Sequence, residues 1–214
     1  MNFSLKLYEI FSSIQGESSF AGIPFTFIRL SGCPLRCRWC DTKYAYNKGK
    51  IYTLNEILKI VEEINLPHVM ITGGEPLMQK NCAALIRILL KEFTVVVETS
   101  GAFSLKGLPR KAHYIVDVKT PSSGMSDKIH PHIFNKISKI DEIKFVIANR
   151  NDYEFSKEII NKYPILKKRK ILMSTVFNKL KPQELARWIV DDKLNVRFQL
   201  QLHKYIWGPK VRGV

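Results

Sequence analysis

The chain has 214 residues, 45% apolar and 25% charged, an ordinary globular composition with room for one sizeable core over residues 1–214. No uninterrupted apolar run is long enough for a membrane helix, and the first residues lack the basic segment, apolar stretch and cleavage site of a secretory signal, so we expect a cytoplasmic chain away from membranes. The formal net charge of +15 attracts anions, but the basic residues are spread out, with one tight run at residues 167–170 (KKRK); a small anion fits this pattern as well as nucleic acid, and no direct nucleic-acid contact is expected.

Strand and helix patterns alternate along the chain. Residues 24–31 (PFTFIRLS) read as a strand. Thr53 and Glu56 have capping-box spacing, and Leu54, Ile57, Val61 and Ile64 share one helical face behind them. Residues 68–72 (HVMIT) form a short buried strand, 81–93 a helix, and 94–98 (TVVVE) a β-branched strand. Strands follow at 114–118 and 143–147, then a helix from Asp152 to about Tyr163 and a strand starting at Lys170. Pro182 suits the first turn of a helix reaching Val190, and residues 196–202 (VRFQLQL) close the series as a strand. Such alternation implies parallel βαβ units. About six units are too few for a closed eight-unit barrel, which leaves a partial, open β/α barrel with terminal extensions, or a doubly wound sheet, with ligands at the C-terminal strand ends.

Four cysteines are present, three of them, Cys33, Cys37 and Cys40, within eight residues. A disulfide framework does not crowd three thiols together, so metal ligation leads. Spacings of three and two residues let one short loop wrap three thiolates round a small inorganic core. An iron–sulfur cluster normally takes four Cys, so three leave one iron open. Zinc with a distant fourth ligand stays an alternative, though zinc sites more often use two separated pairs. Cys82 lies in an apolar helical pattern and reads as core.

The cysteine spacing, with Trp39 before the last Cys, resembles the radical S-adenosylmethionine signature. The resemblance implies a 4Fe–4S cluster on Cys33, Cys37 and Cys40, with S-adenosylmethionine on the open iron; one electron then releases methionine and a 5′-deoxyadenosyl radical. It assigns the cofactor to Trp39, Cys40 and Asp41; to Gly74 and Glu75 of the Gly-Gly-Glu-Pro segment, which holds the methionine amino group; and to Thr99 and Ser100, whose hydroxyls suit a ribose. Asp117, Val118 and Lys119 after the fourth strand follow, the Asp and Lys pointing the same way, and Met173, Ser174, Thr175 and Val176 after a later one.

Residues 11–17 (FSSIQGE), Arg29, the Cys40–Asp41–Thr42 run, residues 202–207 (LHKYIW) and the terminal Arg-Gly-Val resemble, more narrowly, the 7-carboxy-7-deazaguanine synthase family. This implies conversion of 6-carboxy-5,6,7,8-tetrahydropterin to 7-carboxy-7-deazaguanine with loss of ammonia, for queuosine-type bases. Mg2+ falls to Thr42. The pterin falls to Gln15, to backbone at Ile14 and Gly16, to Thr72, to the Val214 carboxylate and to Arg29, whose fork matches a carboxylate. A homodimer and a reductant such as flavodoxin or ferredoxin are implied too. A glycyl-radical activase shares the Cys and Gly-Gly-Glu-Pro segments, and a zinc or nucleic-acid-binding module is the non-enzymatic alternative. His203 and Trp207 read as packing residues, and residues 122–140 match no motif.

Overall fold

In the computed structural model, which describes residues 3–213, the apolar runs pair into one nine-stranded sheet. Its strands are β1 (Ser4–Ile14), β2 (Pro24–Leu30), β3 (Lys50–Thr53), β4 (His68–Gly73), β5 (Thr94–Thr99), β6 (His113–Val118), β7 (Glu142–Ile147), β8 (Lys170–Thr175) and β9 (Arg197–Phe198). Their order is β3-β1-β2-β4-β5-β6-β7-β8-β9. From β2 to β9 every pairing is parallel, whereas β1 pairs antiparallel with both β2 and β3. Strands β3 and β9 are the two edges, so the barrel is open, as expected. Helices α1 (Leu54–Ile64), α2 (Cys82–Leu89), α3 (Arg150–Lys162) and α4 (Pro182–Asp191) cover the outer face, and α5 (Leu202–Ile206) lies near the C-terminus.

Strand alternation explains two apolar layers. Outward residues such as Ile28, Val69, Ile71, Val95, Val97, Tyr114, Val116, Ile143 and Phe145 form the main core with the helices. Inward residues Phe25, Phe27, Met70, Val96, Ile115 and Leu172 fill the barrel floor. Towards the C-terminal strand ends the inward positions turn polar: Arg29, Thr72, Glu98, Asp117 and Lys144. The floor is sealed and the mouth is chemical.

Local signals hold where they are short-range. Thr53 and Glu56 form the expected reciprocal capping box, Pro182 opens α4, and Cys82 is buried in the core. The sequence pattern assigns no strand to residues 4–14, where β1 forms, and two further elements depart from expectation. Strand β1 has no continuous alternation, because a bulge between Leu7 and Glu9 reverses its faces: Leu5 and Leu7 face the helices, then Glu9 and Phe11 pair with inward Arg29 and Phe27. Helix α3 starts at Arg150 rather than Asp152, because the Asn149 side chain caps it. Asp152 instead accepts the Ser122 and Ala148 amides. The closing strand is two residues long, because Leu202 leaves the edge and donates its amide to the Gly16 carbonyl.

Candidate active site

The three thiols lie on the loop between β2 and β3. Paired glycines shape it: a Cβ on Gly73 would strike the Leu30 carbonyl, and one on Gly74 the Gly32 carbonyl. The close approach these glycines permit is therefore first to the cysteine loop itself. Gly74 N–H donates to Leu30 O at 2.9 Å and Glu75 N–H to Gly32 O at 2.7 Å. Arg36 folds back to donate to the Cys33 and Leu35 carbonyls, each at 2.7 Å, and stacks on Tyr46 at 4.4 Å. Arg38 N–H donates to Ser123 O, so the segment without a motif buttresses the cysteine loop, while its Ile133, Phe134 and Ile137 join the core. Burial pushes the Cys33 and Cys37 thiols up from their ordinary range. Among the described residues, no three His, Cys, Asp or Glu side chains converge on a point that could hold one metal ion.

All three cysteines border one cavity of about 630 Å3 at the C-terminal mouth of the barrel. Also on its wall are Ile14, Gln15, Gly16, Arg29, Trp39, Asp41, Thr42, Thr72, Gly74, Thr99, Ser100, Asp117, Lys119 and Val176, all singled out from sequence. Arg29 gives its Nε to Glu9 Oε1 at 2.7 Å and lies by Phe11 and Tyr44. Among the described residues no acceptor meets its two terminal nitrogens, which leaves an end-on fork for a ligand carboxylate. The Thr42 hydroxyl lies 3.1 Å from Asp41 Oδ1 and 3.9 Å from Cys40 Sγ.

Five residues named for the cofactor are placed differently. Glu75 is fully buried beneath the wall, its carboxylate accepting from Leu77 N–H at 3.0 Å, Thr99 Oγ at 2.8 Å, Ser100 N–H at 2.7 Å and Ser100 Oγ at 2.5 Å. It orients the two hydroxyl residues rather than facing the cavity. Val118 and Met173 point outward into the core, as alternation dictates beside inward Asp117, and Ser174 and Thr175 are buried off the wall. Val214 lies outside the described residues.

The structure adds a polar group that spacing did not single out. Lys144 of β7 pairs with Glu98 of β5, with Glu17 Oε2 at 3.3 Å and with Asp117 Oδ2 at 3.3 Å; Lys119 reaches the same Asp117 oxygen at 2.9 Å. Burial opposes the charge on Lys144, yet the three carboxylates hold its ammonium well above the ordinary range. Burial pushes Glu98 up, with Lys144 opposing. Glu98, Asp117 and Lys144 lie on three different strands, and only their inward parity along β5, β6 and β7 could have linked them. The C-terminal segment roofs the cavity with Gln201, His203, Lys204 and residues 208–213. Lys204 pairs with Asp41 at 3.4 Å, and Arg212 stacks on Tyr44 at 4.3 Å. His203 packs against Gly16, where any Cβ would strike its ring, so it both packs and lines the wall.

A partial parallel barrel with three thiols at its mouth defines the class, and the comparisons agree. Residues 27–186 match the Radical SAM superfamily model, so the chain is a radical S-adenosylmethionine enzyme with that family's 4Fe–4S cluster and S-adenosylmethionine as cofactors. Within that class, it belongs to the 7-carboxy-7-deazaguanine synthase family. It is 44% identical to the 7-carboxy-7-deazaguanine synthase of Chlorobaculum tepidum over 98% of this chain and 97% of the relative, and 38% identical to that of Koribacter versatilis over 98% and 100%. The crystal structure of QueE from Escherichia coli, 24% identical, superposes with a TM-score of 0.77 over 92% of this chain and 94% of its own, which supports the fold. Membership decides the zinc alternative against, in favour of the cluster. Among the described residues no helix is long and apolar enough to cross a membrane.

Proposed function

We propose that the chain converts 6-carboxy-5,6,7,8-tetrahydropterin to 7-carboxy-7-deazaguanine, expelling ammonia. One observation carries this reading: a single cavity joins the three thiols to the free fork of Arg29, with Gln15 and Thr72 also on its wall. A carboxylate grip in the same chamber as the radical source is what a carboxypterin needs and a bulky protein substrate does not, which supports this reading.

Cys33, Cys37 and Cys40 would hold the cluster. With S-adenosylmethionine bound, the cofactor pair supplies one electron to a sulfonium and a primary carbon radical able to take hydrogen from substrate. The chain's own residues bind and orient. Thr99 and Ser100, fixed from below by Glu75, present hydroxyls to a ribose. Asp117 and Lys119 offer an acceptor and a donor on one face. Arg29 grips the substrate carboxylate, while Gln15, the Ile14 and Gly16 backbone and Thr72 read the pterin edge. Thr42 offers a hard oxygen to Mg2+, which keeps further oxygen ligands from substrate or water. Val118, Met173, Ser174 and Thr175 contribute through backbone at the strand ends, and Val214 belongs to the substrate side of the proposal.

The unbroken sheet supports residues 1–214 acting as one domain. Exposed Leu200, Tyr205, Ile206 and Trp207 beside the roof suit a second copy, supporting a homodimer. The +15 charge suits an acidic one-electron carrier such as flavodoxin or ferredoxin, and four free cysteines suit a cytoplasmic setting. The test is anaerobic reconstitution followed by incubation with the carboxytetrahydropterin, S-adenosylmethionine, Mg2+ and a reductant. Mass analysis is expected to show the deazaguanine; a full cluster that cleaves S-adenosylmethionine yet yields no such product overturns the proposal.

A further inference from the structure

The residues that read the pterin edge sit on a loop that the structure holds from behind. Between β1 and β2 the chain runs through residues 15–23 and crosses from the β1–β2 side of the barrel to β7, β8 and the segment after β9. Gln15 closes the hairpin, donating its amide to Ile23 O and accepting from Gly22 N–H, each at 2.8 Å. Its side-chain oxygen accepts the Glu17 amide at 3.1 Å. Beyond Glu17 the loop leaves the cavity wall. Ser18 is fully buried and takes a left-handed conformation, φ +68°, uncommon for a residue with a Cβ.

Two consecutive amides of this crossing are satisfied only by side chains from the opposite side. Ser18 N–H donates to Gln199 Oε1 at 2.8 Å, and Ser19 N–H donates to Glu142 Oε2 at 3.1 Å. Gln199 is 6% exposed, and its Nε2 has no partner among the described residues, so the side chain's protein hydrogen bond is the one to the loop. Its own amide extends the β8 ladder by donating to Met173 O, which fixes the side chain's origin. Glu142 is fully buried at the start of β7, flanked by His113 at 3.5 Å and Lys170 at 3.8 Å. Removing either acceptor leaves a loop N–H without its partner, and the Ser18 one is buried at a residue already in a disfavoured conformation.

We propose that Gln199 and Glu142 are positioning residues for the substrate: neither touches the cavity, and together they set the height and tilt of residues 15–17 by holding the backbone immediately after them. This rests on the function proposed above. The effect falls on substrate recognition and not on the cofactor side, because the cysteine loop, Glu75 and Thr99 are anchored independently through β2, β4 and β5.

The test uses Gln199→Leu, which removes the acceptor at similar size, and Gln199→Glu, which keeps one. In reconstituted enzyme, Q199L is expected to raise the pterin KM about tenfold, with S-adenosylmethionine cleavage in the absence of pterin within twofold of the parent. Q199E restores KM to within about threefold. Hydrogen exchange over residues 15–23 is expected to accelerate in Q199L and not in Q199E. An unchanged KM, a rise in KM matched by an equal loss of pterin-free cleavage, or unchanged exchange overturns the inference. If Q199L does not fold, Gln199→Ala, which also removes the acceptor, carries the same comparison with Q199E. If the parent does not turn over the pterin at all, the function proposed above fails. The exchange result then still decides whether Gln199 anchors the loop.

Discussion

Replacing Lys144 by Met should expose how much the chamber depends on one buried cation. The ammonium sits among Glu17, Glu98 and Asp117, with Lys119 the other base, so the five groups sum to −1, and to −2 without Lys144. Breaking a buried pair by removing one member costs about 3–5 kcal/mol. Here the low end applies, because the Glu98 side chain is 26% exposed to the cavity and water screens part of the repulsion. A loss of about 3 kcal/mol lowers Tm by roughly 6–12 °C in a chain of this length. The pH dependence has a definite sign. Burial raises the Glu98 carboxyl above its unfolded value, so its penalty is absent at low pH and grows as pH rises through the folded value. Without Lys144 that penalty is larger, and the deficit of K144M should shrink from pH 7 to pH 5. A second change, Glu98→Gln, should recover at least about 1 kcal/mol, measured by a denaturant double-mutant cycle on the apoprotein. A deficit under about 1 kcal/mol, or an E98Q effect that adds to the loss, refutes the reasoning.

Cys33→Ala should abolish cluster retention, read as iron and sulfide per chain. Cys82→Ser should leave both intact and cost about 1–3 kcal/mol in denaturant unfolding, from a hydroxyl buried in apolar core. Hydrogen bonds and charge from His113 and Ser19, against opposing burial, hold Glu142 below the usual carboxylate range. Its stabilisation is therefore fully present above the unfolded value of about 4.3 and is lost as pH falls through the folded one. The stability difference between parent and Glu142→Gln should be constant near neutrality and should narrow below about pH 4 in urea titrations; a constant difference down to pH 2 speaks against it.

What could be read from the sequence was whatever neighbouring residues decide among themselves. Thr53 with Glu56, Pro182 and the thiol trio each act within a few positions, and each was readable. The alternation Asp117–Val118–Lys119 likewise gave two cavity residues and one core residue, although resemblance had grouped all three with the cofactor. What escaped reading depends on register between distant segments. The β1 bulge decides that Glu9 meets Arg29, and nothing in residues 4–14 alone announces it. Lys144 looked like one more lysine in a chain with 34 basic residues until β5, β6 and β7 aligned it with Glu98 and Asp117. The Gly-Gly-Glu-Pro motif fixes the place of Glu75 in the chain and not the direction of its side chain, which turns to Leu77, Thr99 and Ser100.

The same strands thus do two jobs through one alternation. Outward residues bury apolar area against α1 to α4 and make the sheet rigid, while inward residues change from apolar at the floor to charged at the mouth. A reactive radical needs a dry, ordered chamber, yet the groups that hold polar substrates must be charged and hydrogen-bonded. The structure reconciles these by neutralising charge in place. Lys144 and Lys119 offset all but one of three carboxylate charges, Glu9 ties down Arg29 while leaving its fork open, and Glu75 accepts from Leu77, Thr99 and Ser100. Polar side chains fixed by their own partners do not reorganise when a ligand arrives, so whatever hydrogen-bonding capacity those partners leave free faces the chamber from the outset. Rigidity of the outer layer is what makes that inner precision possible.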